Sequence, residues 1–514
     1  MLRQNRLVLW VIGLAFGTVW LVSFRAAEPD NGAQAAKQYC GSCHLMPDPK
    51  SLPKPIWQLS VLPVMGAYLG VRYLGYDPYR NLKPEEVALL KQEHLFPDEP
   101  VIDAESWQKI VAYYVDNAPD QIPLDSARQS RNQPLDLFKP KLIPLGKTTG
   151  SMVTAVAFDT LRHELWVAEP DKLYRWNAKR GLTHNYDLPG TVVDVVFGPT
   201  QTLLTEIGTL LPSELAKGTL FAFTGDSLSN LKTDLHRPVF SVMADLNNDG
   251  TNEIISANYG HRTGSLSVYT KQPGSGVGYD ATVLLQQPGA VKCIVRDMNG
   301  DGRKDVVALF AQSDEAIYIF YQTGNLQFRA ENVLQFEPQY GTSDFVLLDY
   351  NHDGIDDLAV VHGDNADYSY CLKPFHGLRV FLGQKNGRYT EAFFYPIYGA
   401  TRLQADDFDQ DGDIDFAVSA FFPELTRLAS ESFVYLENTD ARRFQFTART
   451  LDLPMPIKSL TLEKADVDQD GDMDLVLGQF SYSPVAVPPA LQQQWNAVPY
   501  KLVLLLNQRR DSLR

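Results

Sequence analysis

The spacing of apolar and polar positions divides the chain into three regimes. Residues Leu7 to Phe24, LVLWVIGLAFGTVWLVSF, carry no charge. At 1.5 Å per residue a helix over this run spans about 27 Å, close to the hydrocarbon thickness of a bilayer. The second regime, residues 30–120, has helical spacing. Trp107, Ile110, Val111, Tyr114 and Val115 recur three and four apart behind a capping Asp103, and Asn117 with Pro119 ends the run. In the third regime, residues 139–510, the apolar runs shorten to EIISA, DVVAL, DLAVV, DFAVS and DLVLG, dense in Val, Ile and Phe, which read as strands. Between the last two lies a stretch rich in Pro, Asn and charge, residues 121–138, which reads as a linker.

Arg3 and Arg6 precede the first apolar run, so the N-terminus is expected to stay in the cytoplasm and everything after Arg25 to be exported. The run predicts a single-pass signal anchor at residues 7–24. A cleaved signal peptide is the competing reading, although Ser23, Phe24 and Arg25 make a poor cleavage site. The expected location is a bacterial inner membrane, with the bulk of the chain in the periplasm or outside.

An acidic nonapeptide precedes each of the five strand runs: DLNNDGTNE, DMNGDGRKD, DYNHDGIDD, DFDQDGDID and DVDQDGDMD, about 50 to 60 residues apart. Oxygen donors at positions 1, 3 and 5 with glycine at 6 match the start of an EF-hand loop. The twelfth positions, Ser256, Ala308, Val360, Val418 and Leu477, lack the closing Glu. Apolar strand runs flank each loop instead of helices, so each is a strand-to-strand turn whose ninth-position acid can take the role of that Glu. The candidate calcium ligands are Asp245, Asn247, Asp249 and Glu253; Asp297, Asn299, Asp301 and Asp305; Asp349, Asn351, Asp353 and Asp357; Asp407, Asp409, Asp411 and Asp415; and Asp466, Asp468, Asp470 and Asp474.

Further strand runs follow in each unit, GSLSVYT, EAIYIFYQ, GLRVFLG, SFVYLEN and YKLVLLLN. Two earlier units, from Thr154 and Thr191, repeat the strand order without the acidic loop. Seven units of three or four strands fit a β-propeller. The last unit lacks a fourth strand, which KPKLIPL, Lys139 to Leu145, could supply by pairing the two ends of the repeat region. These units resemble the FG-GAP or VCBS repeat family, which implies a seven-bladed propeller with up to five bound Ca2+ ions. The first two blades depart from the motif.

Of four cysteines, Cys40 and Cys43 stand three apart in YCGSCHLMP, with His44 directly after. A zinc ribbon needs a second ligand pair, and a thioredoxin-like pair needs a strand-to-helix context; neither is present. A histidine following the second cysteine fits c-type haem attachment, with the thiols bonded to the vinyl groups and His44 on the iron. Export agrees with this. Met65 is the candidate ligand on the opposite face, with Gly66 beside it allowing close approach; His94 is the alternative, and Met46 is too near His44 to reach round the ring. Residues 30–120 resemble the small class I cytochromes c, on Cys40, Cys43, His44 and Met65.

The expected fold class is therefore multidomain: an N-terminal transmembrane helix, a small all-α class I cytochrome c-like domain and a C-terminal all-β seven-bladed propeller. The balance of 62 acidic to 46 basic side chains, a formal charge of -16, argues against nucleic acid, and about ten positive charges from five bound ions would offset most of it. The leading reading is a membrane-tethered electron carrier with one covalent haem, working with redox partner proteins of a respiratory or oxidative pathway, its propeller a docking or recognition platform. Two others stay open: a propeller dehydrogenase feeding electrons to the haem, with His362 to His376 the first place to look, and a module that binds a partner protein or glycan. Cys293, in VKCIV, reads as a buried strand residue. Whether it pairs with Cys371 is open.

Overall fold

Seven sheets, antiparallel but for one added edge strand, hold every strand of the described residues, each built outward from one inner strand. A computed structural model describes residues 31–124, 133–272, 278–365 and 370–509. The apolar run 7–24 lies outside the described residues, among which no helix is long and apolar enough to cross a membrane.

The inner strands are Ala155–Asp159, Val192–Phe197, Pro238–Ala244, Ala290–Arg296, Thr342–Leu348, Ala400–Asp406 and Ser459–Ala465. Each packs against the next, and the last packs against the first, closing a ring. The sheets are thus the seven blades of a propeller, as the repeat period predicts. The second strand of every blade is buried along its whole length, for example Asp305–Phe310, Asp357–His362 and Asp415–Ala420. These strands carry unbroken apolar runs because both of their faces pack on neighbouring blades. One such core joins Val307, Leu309 and Ile319 of the fourth blade to Phe345, Leu358 and Val360 of the fifth. The outermost strands, such as Gln327–Gln335, are exposed or half-buried along their length.

The seventh blade closes as expected. Phe138–Ile143 pairs antiparallel with Leu502–Asn507, from Phe138 opposite Asn507 to Ile143 opposite Leu502. Only the end residues of that strand, Phe138 and Ile143, are buried. The linker reading needs one correction: Gln133–Pro134 pairs parallel with Gln445–Thr450 and adds a fifth strand to the sixth blade. Proline fits there because an outer edge strand need not donate on both sides.

Residues 31–124 form a separate unit of short helices, including Asn31–Tyr39, Leu62–Tyr68, Pro84–Gln92 and Ala104–Asn117. Asp103 caps the last one, accepting from Ser106 N at 2.8 Å. This helix packs on Asn31–Tyr39, and Ala36, Trp57, Leu62, Trp107, Ile110 and Tyr114 form the shared core. Cys40 opens the short 3-10 turn Cys40–Ser42 that continues directly from Asn31–Tyr39, and Cys43 caps that turn.

Candidate functional site

The five acidic loops fold alike. In each, the residue at position 4 is left-handed: Asn248, Gly300, His352, Gln410 and Gln469 have φ of 59, 74, 57, 58 and 67°. Position 6 also has positive φ, from 81° at Gly354 to 105° at Gly412, a region in which only glycine is comfortable. The first acid braces this coil from inside. Asp245 accepts from the amides of Asp249 at 3.1 Å and Gly250 at 2.9 Å, and Asp407 accepts from Asp411 at 3.0 Å and Gly412 at 3.1 Å. Asp297, Asp349 and Asp466 repeat the pattern. In the two loops with aspartate at position 3 the coil brings the oxygens of positions 1, 3 and 5 together.

Position 3 separates the loops into two kinds. Where it is asparagine, the amide satisfies the fifth-position carboxylate: Asn247 Nδ2 donates to Asp249 at 3.0 Å, Asn299 to Asp301 at 3.1 Å and Asn351 to Asp353 at 3.1 Å. Where it is aspartate, like charges converge. The oxygens of Asp407, Asp409 and Asp411 lie within 4.8 Å of one another, as do those of Asp466, Asp468 and Asp470. Burial first, then the neighbouring carboxylates Asp411 and Asp470, raise the pKa values of Asp409 and Asp468. Asp413 is pushed up to about 6, by burial and then by Asp411. The Oδ1 of Asp468 is buried and makes no hydrogen bond of normal geometry. Carboxylates, amide oxygens and a free buried oxygen are a donor set for a hard divalent cation.

The ninth-position acid has a further task that sequence spacing does not show. Glu253, Asp305, Asp357, Asp415 and Asp474 are almost completely buried. The four aspartates clamp three segments together. Asp305 accepts from Met298 N in its own loop at 2.9 Å and from Gln322 N on the third strand at 2.8 Å. Asp357 does the same with Tyr350 N and Gly383 N, Asp415 with Phe408 N and Asn438 N, and Asp474 with Val467 N and Asn507 N. Burial raises Asp415 and Asp474 to about 7.

In the helical unit, His44 is already oriented. Its Nδ1 lies 2.7 Å from the Leu45 carbonyl, which only accepts, so in the neutral ring Nδ1 holds the proton and Nε2 the lone pair. That is the tautomer a metal ligand needs. Burial and then Cys43 push the Cys40 thiol up to about 11, while Cys43 is exposed. Among the described residues the two aspartate loops are the metal-spaced clusters, so Cys40, Cys43 and His44 do not converge as a preformed zinc site. Two donors in the core against which Cys40 packs, Tyr114 Oη and Trp107 Nε1, are buried without a hydrogen-bond partner. Orphaned donors next to a CxxCH turn suit a bound group with acceptors, as haem is.

Met65 lies partly buried on Leu62–Tyr68. The adjacent Gly66 has a packing reason: a Cβ there would come within 3.1 Å of the Trp107 ring. Met46 packs on the core, and His94 is exposed, with φ of 50°, just beyond Pro84–Gln92. All four cysteines are free. Cys293 is buried in the core between the third and fourth blades, whereas Cys371 packs against the helical core, so the two do not pair. His362 and His376 are buried; His362 Nδ1 meets Thr342 Oγ1 at 2.9 Å, and Phe375 stacks on Tyr340.

Sequence reading missed how the two units meet. The helical unit rests on the propeller face opposite the acidic loops, on connections between second and third strands and between neighbouring blades. Glu86 is buried and accepts from Ser213 Oγ at 2.6 Å and from Glu214 N at 3.2 Å. The Arg262 guanidinium lies 5.6 Å from the Phe96 ring. Asp48 N donates to Glu337 Oε2 at 3.3 Å. No local pattern marks these residues, since their partners lie more than a hundred positions away.

A family profile for the FG-GAP-like repeat matches residues 245–308 and 297–360, each match running from one acidic loop through the next. Integrin alpha-PS5 of Drosophila melanogaster is 32% identical over 143 residues, 25% of this chain and 14% of that protein. The chain therefore spans a small part of that relative's length. Among solved structures, BBS1N in complex with ARL6DN is similar at 9% identity and a TM-score of 0.45, covering 73% of this chain and 97% of that one. The extracellular domain of a one-component system from B. thetaiotaomicron is similar at 12% identity and a TM-score of 0.40, covering 72% and 40%. The strand order, the five loops and the profile together identify a seven-bladed β-propeller that carries FG-GAP repeats.

Proposed function

We propose that the chain is an extracytoplasmic electron-transfer protein, tethered by residues 7–24, with one haem bound through Cys40 and Cys43 and with His44 and Met65 on the iron. The observation that carries this reading is the CxxCH turn, with the His44 proton on Nδ1 and the lone pair on Nε2. Haem held in this way supplies one-electron exchange, and a His/Met ligand pair favours a high potential. The orphaned Tyr114 hydroxyl and Trp107 indole support a group seated against this core. The propeller is the docking or recognition platform for redox partner proteins. Full-length protein exported from a host competent in cytochrome maturation is expected to keep its haem through denaturing electrophoresis. Loss of all haem stain in that gel would sink the reading.

The same proposal places Ca2+ in the acidic loops. The aspartate-bearing fourth and fifth loops hold three converging carboxylates each and bind first; the three asparagine loops follow. The ions steady the turns, since among the described residues strands and not a mobile helix pair flank each loop. Terbium luminescence titrated with Ca2+ tests this, and a single class of sites equal across all five loops would contradict the order.

A further inference from the structure

The cysteine turn does not lie at a free tip of the helical unit. It rests on the seam between the fourth and fifth blades, where Cys371, from a fifth-blade connection, joins the same core as Cys40 and Met46. Four residues beyond His44, Asp48 donates its amide to Glu337, a residue of the connection between Gln327–Gln335 and Thr342–Leu348. Gln339 Nε2 donates to the same Glu337 oxygen. Both are neutral donors, so they hold the carboxylate in place without cancelling its charge. The field of that charge reaches the cysteine core: after burial, the Tyr114 hydroxyl feels Cys40, Tyr113, Glu337 and Asp48.

A fixed negative charge in a half-buried seam favours the more positive of two iron states, and screening by solvent is weaker there than at an open surface. Resting on the haem reading above, we infer that Glu337 is a positioning residue of the redox site: the propeller lends this carboxylate to seat the Cys40–Asp48 segment and to hold down the reduction potential of a haem bound there. The propeller is then part of the redox unit and not only a platform behind it.

The test uses the full-length, haem-loaded protein and potentiometric titration of its visible spectrum. Glu337→Gln keeps an acceptor oxygen for Asp48 N but removes the charge, and is expected to raise the midpoint potential. Glu337→Asp is expected to stay near the wild-type value. Glu86→Gln perturbs a docking contact away from the cysteine turn, on the second blade, and is expected to leave the potential unchanged. An unshifted potential in Glu337→Gln, or equal shifts in Glu337→Gln and Glu86→Gln, overturns the inference while the haem reading stands. Absence of covalent haem overturns both and is seen in the spectrum before any titration.

Discussion

The ninth-position aspartates show how much one side chain can hold in this fold. Removing Asp305 strands two buried amides, Met298 N and Gln322 N, each worth roughly 1–3 kcal/mol when left unpaired. Asp305→Ala is expected to lower unfolding free energy by about 2–4 kcal/mol in urea, even with calcium chelated. A change below about 0.5 kcal/mol would show that the clamp is unimportant. Spacing marks these residues as acidic and regular, but their double contact requires the third strand, which comes from farther along the chain. At His44 the motif named the residue, and only the fold fixed which nitrogen carries the proton. If haem is bound as proposed, His44→Ala is expected to leave protein that either fails to retain it or shows an altered spectrum, read against His94→Ala, which should match wild type.

Among the elements, the closing strand carries the largest consequence for its size. Phe138 is buried against Phe408 and Tyr435, with ring centroids 5.8 and 5.6 Å away, so it pins the start of the repeat region to the sixth and seventh blades. Phe138→Ala is expected to cost about 3–5 kcal/mol, by thermal or urea unfolding. The exposed neighbour Lys141→Ala should cost almost nothing, and comparable losses in the two would refute the pinning role. This strand was legible because the last unit visibly lacked a partner. The added strand at Gln133–Pro134 was not, since two residues with a proline carry no strand signal and gain their pairing only from an adjacent blade. The helix after Asp103 was legible to the residue at its start, because capping is a local interaction.

For the whole molecule, charge and burial set the response to solution conditions. Chelating calcium should lower the melting temperature, with ligand at a hundredfold over its dissociation constant contributing about 2.7 kcal/mol per site. A melting temperature indifferent to chelator would argue that the loops hold no ion. A pH dependence follows from Glu315, buried between the fourth and fifth blades, where it accepts from Thr342 N at 3.0 Å, Thr342 Oγ1 at 2.8 Å and Gly341 N at 3.2 Å. Burial raises it from 4.5 to about 8. The folded state therefore binds this proton more tightly than the unfolded chain does. Its contribution is whole below pH 4.5 and is lost as pH rises toward 8. Glu315→Gln, which cannot ionise, should gain stability relative to wild type as pH rises from 5 to 8. A constant difference across that range would refute the assignment.

What the sequence determined by itself was everything that repeats or acts locally. The five acidic nonapeptides, the seven strand units, the helix caps and the CxxCH turn each show within a few residues, because turn chemistry, capping and metal spacing are short-range. The tertiary structure decided what depends on distant segments meeting: the aspartate clamps across two strands and a loop, the parting of Cys293 from Cys371, and the seating of the helical unit through Glu86 and Glu337 on the face opposite the acidic loops. Such contacts leave no periodic trace, because burial and charge in a propeller depend on which blade lies next to which, and ring closure fixes that only once the whole chain has folded.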